Sequence, residues 1–321
     1  MDPKRLLSPT ASRLEPLEKR VYQKLKVLRS QLEKQTLLVA VSGGLDSVVL
    51  LHVLHSLRER LQIKLHLVHV NHGVRGKDSD HDSHFVAALA KKMGLPVTRK
   101  KIKGDMSGAG ENLLRRLRYE ILFAVKDQVK ATFVLTAHHQ DDLLETRLMR
   151  LLQGTGIHGL KAMTILDQDR LLRPLLDVKR KEIEEYAKSK KIQWRNDATN
   201  LDTTKLRNWI RRNWLGVLRA EHPEYVQNLF DGLERLVQNN PPLPKLTDKN
   251  FDRTKLAGDS RPPAGETDNL VYNYLRHYAK ARVTSKHVAE FKKRLASKRK
   301  KFSFRLAGAL WRVEGSQVFP V

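Results

Sequence analysis

The sequence predicts an α/β fold, a parallel sheet with helices on both faces, followed by a smaller C-terminal α+β domain. Three observations lead there. Apolar β-like runs alternate with runs of helical period over the first two thirds of the chain. A Ser-Gly-Gly turn at 42–44 joins the first strand to the helix behind it. After about residue 217 the composition shifts to Pro- and Gly-rich loops and a basic tail, so the expected domains are 1–217 and 218–321.

Glu15 to Lys34 reads as a charged helix, Leu37 to Val41 as an apolar strand, and Val48 to Leu57 as a helix. Lys64 to Val70 alternates as a second strand, Asp78 to Met93 is a helix, and Leu95-Pro96-Val97 opens a short strand. Residues 104–110 are a glycine-rich loop, and Glu111 to Lys126 is helical, with apolar residues at 113, 114, 117, 121 and 122. Thr132 to Thr136 is a strand and Asp141 to Leu152 a helix. Asp177 is placed as the cap of a helix reaching about Lys190, and Trp209 to Leu218 as another helix. Residues 240–244 and 258–265 are loops, and Phe302 to Phe319 reads as two strands around Gly308 and Gly315. Parallel sheets bind ligands beyond the carboxyl ends of their strands. The glycine turn, His69–Arg75 and Ala137–Asp142 all follow strand ends, so they should converge on one crevice.

Lys and Arg number 61 against 35 Asp and Glu, a net +26 in 321 residues. That excess points to a polyanion, most simply nucleic acid. An anionic membrane surface competes, but aromatic content is 6% and no segment approaches the ~20 apolar residues of a span. There are no cysteines, which excludes disulfides, thiolate zinc sites and Cys-bound iron–sulfur clusters. Residues 1–13 are basic and broken by Pro3 and Pro9, without the apolar core of a secretory signal. The reading is cytoplasmic, with a basic organellar transit peptide left open.

Residues 42–47 read Ser-Gly-Gly-Leu-Asp-Ser. Between a strand and a helix, such a turn presents backbone N–H groups to a phosphate. Gly43 and Gly44 allow close approach, and Ser42 and Ser47 add hydroxyls. The loop lacks lysine and so is not GxxxxGK[ST]. Asp46 would repel phosphate unless a divalent cation bridges the two. The bland alternative is a helix start capped by Ser and Asp.

His138, Asp142 and Glu145 lie near the next strand-to-helix junction at spacings that share a helix face. A metal site, an acid/base and cation-binding site, and a capped helix start with solvated charges compete there. Asn71 and His72 could hydrogen-bond a base or ribose, or simply form a turn. Residues 154–159 match GxGxxG but follow a helix, so a dinucleotide site is rejected in favour of a glycine turn. Arg207-Asn208-Trp209-Ile210-Arg211-Arg212 could clamp phosphates or form a solvated face. From Lys280 to Arg305 eleven Lys or Arg face one acid, Glu290, which favours phosphate-backbone contacts.

Taken as an ordered set, these motifs resemble the N-type ATP pyrophosphatases, and among them the tRNA(Ile)-lysidine synthetase family. They are SGGxDS at 42–47, HVNHGxR at 69–75, ExxxRxxRY at 111–119 and AHHxxDxxET at 137–146. GTGxxGL at 154–160, RPL at 173–175, DxTN at 197–200 and RNxIR at 207–211 follow. The resemblance covers about 35–217; the last hundred residues fit only by size, basicity and a final strand pair. Gln153 and Val74 depart from it, where a basic residue and Leu are usual.

The resemblance implies adenylation of the wobble cytidine of tRNA(Ile) with a CAU anticodon, then attack by lysine to give lysidine, releasing AMP and pyrophosphate. It implies ATP and Mg2+ as cofactors, the magnesium reached through the phosphates at Asp46. It implies Ser42, Gly43, Gly44, Leu45, Asp46, Ser47, Asn71 and His72 for ATP, and Asp46, His138, Asp142 and Arg207 for catalysis. Asp142 and Glu145 would hold lysine. Arg115, Arg118, Arg211, Lys298, Arg299, Lys300 and Lys301 would face tRNA. A cytidine or uridine thiolase and a non-catalytic RNA-binding protein are the alternatives, and a homodimer is left open.

Overall fold

Leu37, Val39 and Leu38 alternate along one short strand, and the first two join a different apolar cluster from the third. A strand buried on both faces needs helices on both, and the computed structural model has them. It describes residues 14–71, 77–102, 110–154, 157–161, 163–167, 170–195, 206–239, 251–256, 271–272, 274–275, 277–279 and 283–321. The chain divides into two compact units, 1–144 with 163–203, and 145–162 with 204–321. The boundary near 217 drawn from composition falls inside the second unit.

In the first unit, α1 (Pro16–Lys26) and the short α2 (Arg29–Leu32) precede β1 (Thr36–Ala40), α3 (Leu45–Leu61) and β2 (Lys64–Asn71). Then come α4 (Lys77–Met93), β3 (Val97–Lys101), α5 (Glu111–Gln128), β4 (Phe133–Leu135) and the start of α6 (Gln140–Leu152). After residue 163 come β5 (Leu166–Asp167), β6 (Leu171–Leu172) and α7 (Arg180–Ser189). The sheet order is β3-β2-β1-β4-β6-β5. All pairings are parallel except that of β5 with β6. The chain moves outward from β1 to β3, then returns to lay β4 on the other side of β1. The direction of winding reverses there, and a crevice opens beyond the carboxyl ends of β1 and β4.

The α3 helix is apolar nearly all round because it lies between the sheet and further helices. Its Val48, Leu51 and Leu54 share a core with Leu17 and Val21 of α1, Val86 of α4 and Ile183 of α7. The opposite face packs Leu38, Val68 and Val134 under Leu122 and Val125 of α5. The expected Asp177 cap is replaced: the α7 N-cap is Lys179, whose backbone N–H donates to Glu182 Oε1 at 3.0 Å. Asp177 instead accepts from Lys24, and its carbonyl accepts from Arg20 at 2.8 Å.

In the second unit, α8 (Leu206–Trp209), a π-helical turn (Ile210–Trp214) and α9 (Leu215–Glu221) form one continuous helical segment. The α10 helix (Pro223–Gln238) follows. A four-stranded sheet ordered β7-β10-β9-β8 comprises β7 (Phe251–Asp252), β8 (Lys301–Leu306), β9 (Ala309–Glu314) and β10 (Gln317–Pro320). Its described pairings are antiparallel. Sequence reading expected two strands in the tail, but turns at Ala307–Gly308 and Gly315–Ser316 cut it into three. Trp311, Tyr274, Phe291 and Phe304 form the aromatic centre beneath α11 (Ser285–Leu295). Among the described residues no helix is long and apolar enough to cross a membrane.

Candidate active site

The turn after β1 is shaped by its own serines. Gly43 has φ +97°, a left-handed conformation that favours glycine. The Ser42 N–H donates to Ser47 Oγ at 3.1 Å, and Ser47 Oγ donates to the Gly44 carbonyl at 2.9 Å. The Gly44 N–H reaches Ser42 Oγ at 3.3 Å. The hydroxyls therefore cross-brace the loop, and Leu45 opens α3 directly behind it. The first N–H groups of this helix have no intrahelical acceptor, the usual setting for an anion.

Asp46 sits in the first turn of α3. Arg180 Nη1, at the start of α7, donates to both of its oxygens, at 2.7 and 2.5 Å. His139 Nε2 lies 3.9 Å from Asp46 Oδ1 and 3.5 Å from Asp142 Oδ2. Burial raises the Asp46 carboxyl above its ordinary value and Asp142 adds to this, while His139 and Arg180 oppose it.

Asp142 caps the incoming turn by accepting the His139 N–H at 3.0 Å. His139 Nδ1 accepts from the Asp141 N–H at 3.3 Å, which leaves the Nε2 proton aimed at the two carboxylates. The buried imidazole between Asp46 and Asp142 is thus His139, a residue that sequence reasoning passed over for its neighbour. His138 instead pairs through Nδ1 with Thr136 Oγ1 at 2.9 Å. Burial pushes its pKa down to about 3, and the charges of Arg115, Arg118 and Arg173 act the same way against Asp142. At neutral pH it is an uncharged hydrogen-bonding ring. Arg115 and Arg118, expected to face tRNA, also lie over the ring of Tyr119, at 5.2 and 5.4 Å.

Asn71 is buried at the carboxyl end of β2, while His72 and the DxTN motif lie outside the described residues. Arg195 ties the glycine turn from outside: its N–H donates to the Gly43 carbonyl at 3.0 Å, and its Nε to Asp82 at 2.6 Å. Among the described residues no three His, Asp or Glu side chains are grouped to hold a metal alone. The Asp46 carboxylate, now paired with Arg180, offers hard oxygens of the kind that would suit a magnesium ion brought with phosphates.

In the second unit, Glu145 is 1% exposed and both its oxygens are held by Arg211, at 2.6 and 2.9 Å. Arg207 Nε is 4.0 Å away, and Arg207 Nη2 donates to Thr146 Oγ1 at 3.1 Å. Sequence reading assigned Glu145 to a cationic substrate and Arg211 to RNA. The structure pairs them with each other, since a carboxylate this buried requires a fixed counter-charge. Lys298, Arg299, Lys300 and Lys301 are exposed before and at the start of β8, with Lys301 Nζ 3.4 Å from Glu314.

A family described as PP-loop domain matches residues 17–218. A tRNA(Ile)-lysidine synthase of Bdellovibrio bacteriovorus is 32% identical over 314 residues, 94% of this chain and 96% of that protein. The same-named protein of Nitrosomonas europaea is 36% identical over 71% of this chain and 50% of its own length. That of Clostridioides difficile is 35% identical over 62% of this chain and 44% of its length, so the chain spans about half of these two relatives. Among solved structures, a U34-tRNA thiolase from Methanococcus maripaludis with its [4Fe-4S] cluster aligns over 72% of this chain and 82% of its own. Its TM-score is 0.58 at 17% identity, a likeness of fold.

Proposed function

This chain belongs to the PP-loop domain family and, within it, to the tRNA(Ile)-lysidine synthases, and from that premise we propose that it adenylates a tRNA wobble cytidine and ligates lysine to it. The observation that carries the reading is the Asp46 carboxylate in the first turn of α3, behind a glycine turn at the switch point of a parallel sheet. The thiolase alternative is less favoured, because this chain has no cysteine to hold a cluster.

The chemistry has two steps. The cytosine C2 oxygen attacks the α-phosphorus of ATP, the bond to the β-phosphate oxygen breaks, and pyrophosphate leaves. The lysine amine then attacks C2, AMP departs with the oxygen, and the amine loses a proton. The α3 N–H groups and the Ser42–Ser47 loop hold the phosphates. Asp46 would hold a magnesium ion, which would supply positive charge to offset that of the leaving pyrophosphate. Arg180 holds Asp46 in place until then. Asp142 offers a carboxylate to the lysine ammonium, with the His139 ring beside it, Nε2 3.5 Å from its Oδ2. His138, neutral and braced by Thr136, provides an uncharged hydrogen-bonding group to the base. The basic C-terminal sheet contributes affinity for the tRNA backbone.

ATP/pyrophosphate exchange in the presence of tRNA(Ile), followed by mass spectrometry of tRNA nucleosides after incubation with lysine, tests the reading. A cytidine heavier by one lysine residue is expected. Exchange without that product would leave the adenylating step and remove the lysine step.

A further inference from the structure

The chain has four tryptophans. Trp311 is fully buried and Trp194 packs against the core of the first unit. The other two, Trp209 and Trp214, are 45% and 39% exposed within one six-residue stretch of the second unit. Apolar rings exposed together, unlike ones scattered singly, mark interaction sites.

The backbone between them is unusual. Residues Ile210–Trp214 form a π-helical turn, a feature often found at functional sites. In an α-helix, residues five apart diverge by about 140°. Bonding from i to i+5 widens the turn and brings such residues back toward one side. Gly216 makes room for it, since a Cβ there would stand 3.1 Å from the Arg211 carbonyl. The same turn anchors its other side, where Arg211 grips the buried Glu145. Arginine thus ties one side of the segment down while the tryptophans face solvent.

Charge decides what meets them. Between Leu206 and Glu221 there are four arginines, 207, 211, 212 and 219, against Glu221 and the Glu145 that Arg211 holds, so the segment stays positive in a chain of net +26. A second copy docking through this face would bring like charges together. RNA supplies both what the rings take, flat bases, and what the arginines attract, phosphates.

We propose that Trp209 and Trp214 form a stacking platform for unpaired bases of the RNA substrate. The proposal rests on the tRNA reading above and adds a surface to it. Stacking needs exposed bases, so the platform takes single-stranded RNA such as a loop and leaves duplex alone.

Full-length chain titrated with tRNA(Ile) transcript at fixed salt tests it. Trp209→Ala and Trp214→Ala are each expected to weaken binding about tenfold, and Trp209→Phe to restore most of it. The salt slope stays as in wild type, because no phosphate contact is removed. Tryptophan fluorescence is quenched on binding, and the quench is mostly lost in the double variant, where Trp194 and Trp311 remain. A short single-stranded RNA competes for the face and a duplex of equal length does not. Unchanged affinity and quench in folded variants, checked by circular dichroism, would overturn the platform while leaving the enzyme intact. A fall in molar mass by light scattering with unchanged tRNA affinity would overturn it in favour of a second copy. Wild type that binds no tRNA would overturn both readings.

Discussion

Arg180 Nη1 donates to both oxygens of Asp46, so a carboxylate just behind the glycine turn is matched by an arginine 134 residues away in the chain. The pair leaves the loop electrically balanced before any nucleotide arrives. Asp46→Asn is expected to abolish ATP/pyrophosphate exchange while tRNA affinity stays within about twofold. Normal magnesium-dependent exchange in the variant would remove Asp46 from the reaction. A double-mutant cycle with Arg180→Gln should give a coupling of about 1–2 kcal/mol in urea unfolding, the discount from a fully buried pair reflecting partial exposure of both groups.

Asp142→Asn should raise the lysine KM at least tenfold more than the ATP KM, because it removes a charge from the cationic substrate's side. Equal changes in both constants would place Asp142 with the phosphates instead.

Glu145 and Arg211 should behave as a structural pair. Arg211→Met strands a buried carboxylate and is expected to cost roughly 3 kcal/mol, measured by urea unfolding. Combining it with Glu145→Gln should recover much of that loss. If Glu145→Gln alone leaves stability untouched and raises the lysine KM, the carboxylate belongs to the substrate after all.

Acid should loosen the fold through His138. Its ordinary value is 6.5 and burial lowers it to about 3 in the fold. Between those values the unfolded chain binds a proton that the folded chain does not. Its contribution is therefore complete above pH 6.5 and shrinks as the pH falls toward 3. His52, His55, His66 and His69, also lowered by burial, act in the same direction. Unfolding free energy measured from pH 7 down to pH 4.5 should decline less steeply in His138→Asn.

Replacing Lys298, Arg299, Lys300 and Lys301 by Ala should flatten the slope of log K against log salt for tRNA by up to about 3. Cognate and non-cognate tRNA should weaken alike, since phosphates carry no sequence information. An unchanged slope would make these side chains a solvated face.

The alternation of strand and helix, the glycine turn and the helix carrying Asp142 were legible because period and turn chemistry are local properties. What decided between His138 and His139 was not local. Both follow β4, and which ring reaches Asp46 depends on how the chain leaves the strand and on Asp142 catching the His139 N–H. Arg180 was hidden inside a charged run, Lys179-Arg180-Lys181, with nothing in sequence to say which cation turns inward. Asp177 looked like a helix cap because its type suits one, yet Lys24 and Arg20 claim it from α1. The third strand of the tail was missed because β10 is only four residues long.

The chain crosses between its two units three times, after Leu144, Ala162 and Thr203. On the ribosome, residues 145–162 therefore emerge long before the partners that complete their unit. Arg147 must wait for Glu234, which it meets at 2.8 Å, and for Phe230, over whose ring its guanidinium lies. Until then a basic side chain destined for burial stays in water, and the nascent polypeptide holds a small part of a unit it cannot close. A truncation near residue 217 removes Glu234 and Phe230 and leaves Arg147 without either of them. Such a product is expected to be cut by protease within residues 145–162 sooner than the full-length chain.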